Sequence, residues 1–163
     1  MWAFVEGVRG VAEACKAFKQ KNNPNDCLPV VSGNVSLYKE SQGQSIPPSP
    51  IVSIVGQITD VNKAIKMSFT QTDSNIIMIG ERKDECGGSV YYSLFNELGG
   101  NVPKPDVKEA VLEINALTDC IESGLVNSCH DISDGGIAVC LAEMCFKNNI
   151  GCRMSAINNS EKA

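Results

Sequence analysis

Apolar residues recur at helical spacing in two long segments of the chain. In residues 2–18 the apolar positions are Phe4, Val8, Val11, Cys15 and Phe18. In residues 106–123 they are Val107, Ala110, Val111, Ile114, Leu117 and Ile121. Because residues three and four apart share one face of a helix, both segments predict amphipathic helices. Shorter helices are predicted over residues 87–98 and 134–147.

Apolar runs between these helices have the composition and length of β-strands. They cover residues 28–38, 51–58, 75–80, 125–130 and 150–155. The alternation of strands and helices predicts an α/β or α+β fold. The composition shifts between Asp60 and Lys66, which predicts a domain boundary there.

Composition and charge narrow the possible functions. The 163 residues are 43% hydrophobic and 20% charged, which is typical of a globular domain. A net charge of −5 disfavours a nonspecific nucleic-acid binder, which normally has a basic face. Neither an export signal nor an apolar run of about eighteen residues is found, so we expect a cytoplasmic protein without a membrane span.

The chain contains eight cysteines but only one histidine. No Cys-x-x-Cys pair occurs, which disfavours a zinc site. Without an export signal, disulfides are not expected either. The sequence therefore predicts that the later cysteines are small buried apolar residues in the thiol form, namely Cys120, Cys129, Cys140, Cys145 and Cys152.

The segment His130-Asp131-Ile132-Ser133-Asp134-Gly135-Gly136 lies between a predicted strand and a predicted helix. Its glycines permit close approach of a ligand, and the first N–H groups of the helix can bind phosphate. Asp131 and Asp134 offer the carboxylate oxygens that Mg²⁺ prefers. Alternatively, Ser133 or Asp134 simply caps the helix. His130 is either a general base or a histidine that hydrogen-bonds backbone at a strand end.

The segment Ser32-Gly33-Asn34-Val35-Ser36 places polar residues inside a β-prone run. Gly33 permits a nucleotide to approach, Asn34 offers an amide oxygen to a metal, and Ser36 can hydrogen-bond a substrate. The alternative is a β-bulge with a turn-forming Gly-Asn pair. The residues alone leave both interpretations open.

With these two segments in this order, the chain resembles the synthetase subunit of phosphoribosylformylglycinamidine synthase, the PurL family. The resemblance extends from Met1 to Gly151. It implies a PurM-like fold, in which residues 1–63 end an N-terminal ATP-binding domain and residues 64–163 form most of a C-terminal α/β domain. It also implies a fragment of the enzyme's second half, without the first half.

The resemblance implies ATP-dependent amidation of formylglycinamide ribonucleotide in de novo purine biosynthesis. The expected partners are this substrate, the missing half of the synthetase, and a glutaminase subunit or domain that supplies ammonia. By matching motif positions, Gly33 and Ser133 would bind ATP, and Asn34 and Asp131 would bind Mg²⁺. Ser36 would bind the substrate. No catalytic residue is assigned, because the general-base histidine of the family lies in the missing half.

Two other functions are considered. The chain is alternatively a noncatalytic nucleotide-binding or scaffold module of the same assembly, with strands 28–38 and 51–58 offering open edges to another subunit. A member of the aminoimidazole ribonucleotide synthetase family is disfavoured by the Ser-Gly-Asn-Val-Ser segment. The PurL family commonly has Tyr-Asn-Glu where this chain has Tyr38-Lys39-Glu40, a change outside the three contact positions of this segment.

Overall fold

In the described part of the chain, one long helix is followed by four short strands and then by three further helices. The computed structural model describes residues 2–21, 23–34 and 40–154. Within these ranges the helices are α1 (Trp2–Ala17), α2 (Val90–Ser93), α3 (Val107–Glu122) and α4 (Gly136–Phe146), with a 3-10 turn at Val61–Lys63. The strands are β1 (Lys19–Gln20), β2 (Asn23–Cys27), β3 (Glu40–Ser41) and β4 (Gln44–Ser45). This mixture agrees with the predicted α/β (α+β) class.

The three longer helices lie where the sequence pattern predicts them. Helices α1, α3 and α4 match the predicted segments 2–18, 106–123 and 134–147 to within two residues. The start of α3 shows why: Oδ1 of Asp106 accepts hydrogen bonds from the backbone N–H groups of Lys108 at 2.9 Å and Glu109 at 3.0 Å. These bonds stabilise the carboxylate, so the pKa of Asp106 is lowered.

The helix predicted over residues 87–98 is much shorter than expected. It begins at Val90, three residues after the predicted start, where the Ser89 hydroxyl accepts a hydrogen bond from the N–H of Tyr92 at 3.3 Å and caps α2. However, α2 ends at Ser93. The backbone of Asn96 then adopts a φ of 56°, which a right-handed helix does not accommodate.

The predicted apolar strands are wrong in their described parts. Residues 28–34, 51–58, 75–80, 125–130 and 150–154 form no strand. The remaining positions of the first and last predicted strands lie outside the described residues. Strand pairing among the described residues is limited to two antiparallel hairpins, β1 with β2 and β3 with β4.

The predicted strands do not form because a strand needs a neighbouring strand to pair with its backbone N–H and C=O groups. Apolar composition does not supply that neighbour. Residues 51–58 therefore form no strand and are exposed, with Ile51 97% exposed and Val55 96% exposed.

The chain divides into two units. The first contains residues 1–56 and 80–114, and the second contains residues 57–79 and 115–163. The domain boundary expected between residues 63 and 64 stays a prediction. In the first unit, α1 contacts β2, and the N–H of Leu28 donates a hydrogen bond to the carbonyl of Cys15 at 2.9 Å.

The second unit is organised around α4. The N–H of Phe69 donates to the carbonyl of Met144 at 2.9 Å, and the Asn148 side chain donates to the carbonyl of Phe69 at 2.7 Å. Two side chains of α4 form the buried apolar part of the described chain: Cys140 is 7% exposed and Met144 is 8% exposed. Burial of this face of α4 therefore holds the helix in place.

No helix within the described ranges has both the length and the apolar character needed to cross a bilayer.

A tight turn in the first unit depends on a glycine. The N–H of Gly87 donates to the carbonyl of Asn101 at 2.7 Å, and the N–H of Gly88 donates to the carbonyl of Leu98 at 2.6 Å. A Cβ atom on Gly87 would lie 2.7 Å from the backbone carbon of Asn101. Real Cβ atoms do not approach backbone this closely, so the two segments would have to separate.

We expect Gly87→Ala to disrupt this turn at a cost of about 1–3 kcal/mol, the usual range for overpacking. Hydrogen–deuterium exchange should show faster exchange at residues 84–101. Gly100→Ala is the matched control, because a Cβ there meets nothing within 4 Å. Equal exchange rates for both variants would contradict the prediction.

Candidate functional site

The turn from Asp131 to Gly136 leads directly into α4. The N–H of Gly136 donates to the carbonyl of Ser133 at 3.1 Å and closes the turn. Gly135 is the N-cap residue of α4, with a φ of 85°, in the left-handed region. A Cβ on Gly135 would lie 2.4 Å from Cγ2 of Val139. Both the backbone conformation and the close contact with Val139 therefore require glycine at this position.

The start of α4 has no side-chain cap. The alternative in which Ser133 or Asp134 caps the helix is thus wrong, and both residues are exposed. The first N–H groups of a helix have no intrahelical acceptor, and they carry the positive end of the helix dipole. The arrangement is suited to an anion, while ATP binding by Ser133 stays a prediction.

His130 connects the turn to α4 through its side chain. Its Nδ1 lies 3.2 Å from Oδ1 of Asp131, and its Nε2 lies 2.9 Å from Oε2 of Glu143. The imidazole is 12% exposed. His130 thus hydrogen-bonds two carboxylates, whereas the sequence offered only a general base or a histidine bonded to backbone.

The two carboxylates favour the protonated form of this histidine. Only an imidazolium donates a hydrogen bond from both ring nitrogens. The bond to Glu143 is the largest cause of a raised pKa of His130; burial opposes it, and the bond to Asp131 adds to it. His130 therefore links the turn to α4 through two carboxylates that favour its protonated form.

Glu143 is the member of this group that sequence reasoning missed. It is the one charged residue within the apolar α4 segment Gly136–Phe146. A single carboxylate on an otherwise apolar helix indicates a polar neighbour, because burial of an unpaired charge is costly. That signal was present, but only the structure identifies His130 as the neighbour.

The Asp131 carboxylate is accessible to a ligand. Its side chain is 83% exposed, although Oδ1 contacts His130. Within the described part of the chain, no three His, Cys, Asp or Glu side chains gather into a metal-binding group. Mg²⁺ is commonly held by one or two carboxylates together with phosphate oxygens and water. An exposed carboxylate beside a helix N-terminus fits that mode, and Asp131 as a metal ligand stays a prediction.

The Ser32–Ser36 segment is only partly described. Gly33 and Asn34 are exposed and lie in a segment that forms no strand. A Cβ on Gly33 would meet nothing within 4 Å, so the backbone there is open to a ligand. Ser36 lies outside the described residues. The assigned roles of Gly33, Asn34 and Ser36 stay predictions.

The cysteines differ in burial. All eight are free thiols, and Cys140 is buried. Burial is the main cause of a raised pKa of the Cys140 thiol, and the charges of Asp131 and Glu143 add to it. Cys120, Cys129 and Cys145 are half-buried. The prediction of a buried residue is wrong for Cys152, which is exposed because the segment after α4 pairs with no strand.

An open surface cleft of about 590 Å³ lies in the first unit. Its lining includes charged residues of both signs: Lys83, Glu85, Lys104, Asp106 and Glu113. No predicted site residue lines it.

Comparison with known proteins identifies relatives of the chain. The family model described as AIR synthase related protein, C-terminal domain, matches residues 71–158. A phosphoribosylformylglycinamidine synthase subunit PurL from Methanothrix thermoacetophila is 39% identical over 151 residues, covering 92% of this chain and 20% of the relative. The protein of the same name from Sulfurovum sp. is 38% identical over 162 residues, covering 98% and 21%.

The chain spans about a fifth of the length of these relatives. No solved structure gives a significant match.

We expect NMR titration in magnesium-free buffer to give His130 a pKa above 6.5, and Glu143→Gln to lower it. The stabilising contribution of the protonated ring is complete below pH 6.5, where folded and unfolded chains are both protonated. It is lost as pH rises through the raised pKa. Asp119→Asn, which removes a carboxylate from α3, is the control and should leave the titration unchanged. A His130 pKa that Glu143→Gln does not lower would contradict the assignment.

Proposed function

Because the chain belongs to the AIR synthase related protein family through its C-terminal domain, we propose that it forms part of a phosphoribosylformylglycinamidine synthase. The reaction is the ATP-dependent amidation of formylglycinamide ribonucleotide in purine biosynthesis. The proposal draws support from relatives with this name that match over 92% and 98% of the chain.

The observation that carries the proposal is the turn between Asp131 and α4. An exposed carboxylate, two glycines with positive φ and an uncapped helix N-terminus occur within six residues. Each suits a different part of a magnesium-bound polyphosphate: the carboxylate suits the cation, and the N–H groups suit phosphate oxygens. His130 contacts one oxygen of Asp131, while the Asp131 side chain as a whole is 83% exposed.

The chemistry needs a phosphate acceptor and a nitrogen nucleophile. The amide oxygen of the substrate takes the γ-phosphoryl group of ATP, ammonia attacks the activated carbon, and phosphate leaves. When bound, Mg²⁺ neutralises phosphate charge. In this scheme, Gly33 would contact ATP, Asn34 would hold a metal ion and Ser36 would contact the substrate. In the turn before α4, Ser133 would contact ATP and Asp131 would hold a metal ion.

Further parts of the assembly belong to the proposal. Ammonia comes from a glutaminase subunit or domain, and the rest of the synthetase supplies the general base. The site of action is the cytoplasm. The alternative of a noncatalytic nucleotide-binding or scaffold module is less favoured, because the relatives that match are named as synthase subunits.

Titration of the chain with ATP and Mg²⁺ tests the nucleotide site. We expect Asp131→Ala to weaken binding at least about tenfold, or about 1.4 kcal/mol, because it removes the metal's carboxylate ligand. Asp119→Asn is the matched control for lost charge. Binding that falls on Asn34→Ala identifies a site at residues 32–36, whereas binding that falls only on Asp131→Ala identifies one at the start of α4. Unchanged binding in both variants would contradict the assigned ligands.

We expect the 163 residues by themselves to show no amidation of formylglycinamide ribonucleotide. Gly33, Asn34 and Asp131 are exposed to water, whereas this chemistry relies on fixed donors in a site from which water is excluded. The measurement is product formation from formylglycinamide ribonucleotide, ammonium, ATP and Mg²⁺. The chain used must be purified free of the host's own enzyme. Turnover that survives further purification would overturn this expectation.

A further inference from the structure

Two cysteine side chains meet after the end of α4. Cys145 lies in the last turn of α4, and a turn over residues 147–149 follows, in which Asn149 has a φ of 53°. The Sγ atoms of Cys145 and Cys152 are 4.0 Å apart. Cys145 is half-buried and Cys152 is exposed. The proposed nucleotide site uses neither residue.

This separation is short enough for a covalent bond after a small movement. A disulfide requires an S–S distance of roughly 2.05 Å, and side-chain rotation together with movement of the exposed 151–154 segment can close the gap. We propose that Cys145 and Cys152 are a redox-modification site, which a low-molecular-weight disulfide such as oxidised glutathione converts into an intramolecular disulfide.

The difference in exposure between Cys145 and Cys152 determines which thiol reacts first. The exposed Cys152 thiolate attacks one sulfur of glutathione disulfide, which releases one glutathione and forms a mixed disulfide. The Cys145 thiolate then attacks the Cys152 sulfur and releases the second glutathione. Two protein thiols are oxidised, one small disulfide is reduced, and the protons of the protein thiols pass to the two glutathione molecules.

The surroundings of Cys152 set the pH dependence of the first step. Although Cys152 is exposed, partial desolvation by its neighbours and the hydrogen bond with Cys145 raise the pKa of its thiol, so little thiolate is present at neutral pH. The thiolate is the attacking species, and oxidation should therefore accelerate as pH rises towards the raised pKa.

The test treats the full chain with oxidised glutathione at mildly alkaline pH and follows intact mass and tryptic peptides. We expect the wild type to lose the mass of two hydrogen atoms and to link peptide 148–153 to peptide 109–147. Because the longer peptide contains four cysteines, single variants assign the bond. Cys145→Ser should abolish the link and leave a glutathione adduct on Cys152, whereas Cys120→Ser and Cys140→Ser should retain the link.

A parallel reaction in urea shows whether formation of the link depends on the folded structure. The native chain should form the link at least about tenfold faster than the unfolded chain, because the structure brings the two sulfurs together. Circular dichroism of each variant, with Cys145→Ala as a second substitution, separates loss of the thiol from loss of the fold. A link that persists in Cys145→Ser, equal rates in urea, or glutathione adducts without a link in the wild type would overturn the proposal.

Discussion

The packing of α4 determines where the candidate site lies. Cys140 and Met144 are buried on one face of this helix, and Phe69 and Asn148 add hydrogen bonds near its end. His130 contacts Glu143 on the same helix and so ties the preceding turn to it. The positive backbone angles at the start of α4 fall on Gly135 and Gly136, which adopt them readily because glycine has no Cβ atom.

The helix has different chemistry at its two ends. Its N-terminus follows an exposed carboxylate and has no side-chain cap, which suits phosphate and cation binding. Its C-terminus brings Cys145 close to Cys152. The two sites share one rigid element but use separate residues, so the proposed disulfide and the proposed nucleotide site can be tested independently.

The exposure of the apolar segment 51–58 results from the lack of a partner for it in the described part of the chain. Residues 51–58 have the composition of a strand, yet they form no strand and pair with no neighbour among the described residues. Hydrophobic burial and backbone pairing both need a second surface, and the described ranges supply none for this segment. Exposed Ile51 and Val55 show directly that apolar character does not guarantee burial.

The sequence by itself determined the long helices and the position of the glycine turn. Helical periodicity and the Asp106 cap are local, so α1, α3 and α4 were predicted to within two residues. The family resemblance rested on two short motifs and was confirmed by relatives that cover most of the chain. These features depend on neighbours along the chain, which sequence patterns record.

The contacts between residues distant in the sequence, and the absence of the predicted strands from the described residues, were decided by the tertiary structure alone. The contact between His130 and Glu143 joins residues thirteen positions apart, and the meeting of Cys145 with Cys152 depends on the turn after α4. The failure of the predicted strands has the same origin, because strand formation requires a pairing neighbour that local composition does not specify. Interactions within one helical turn are encoded locally, whereas pairing and burial depend on which distant residues meet.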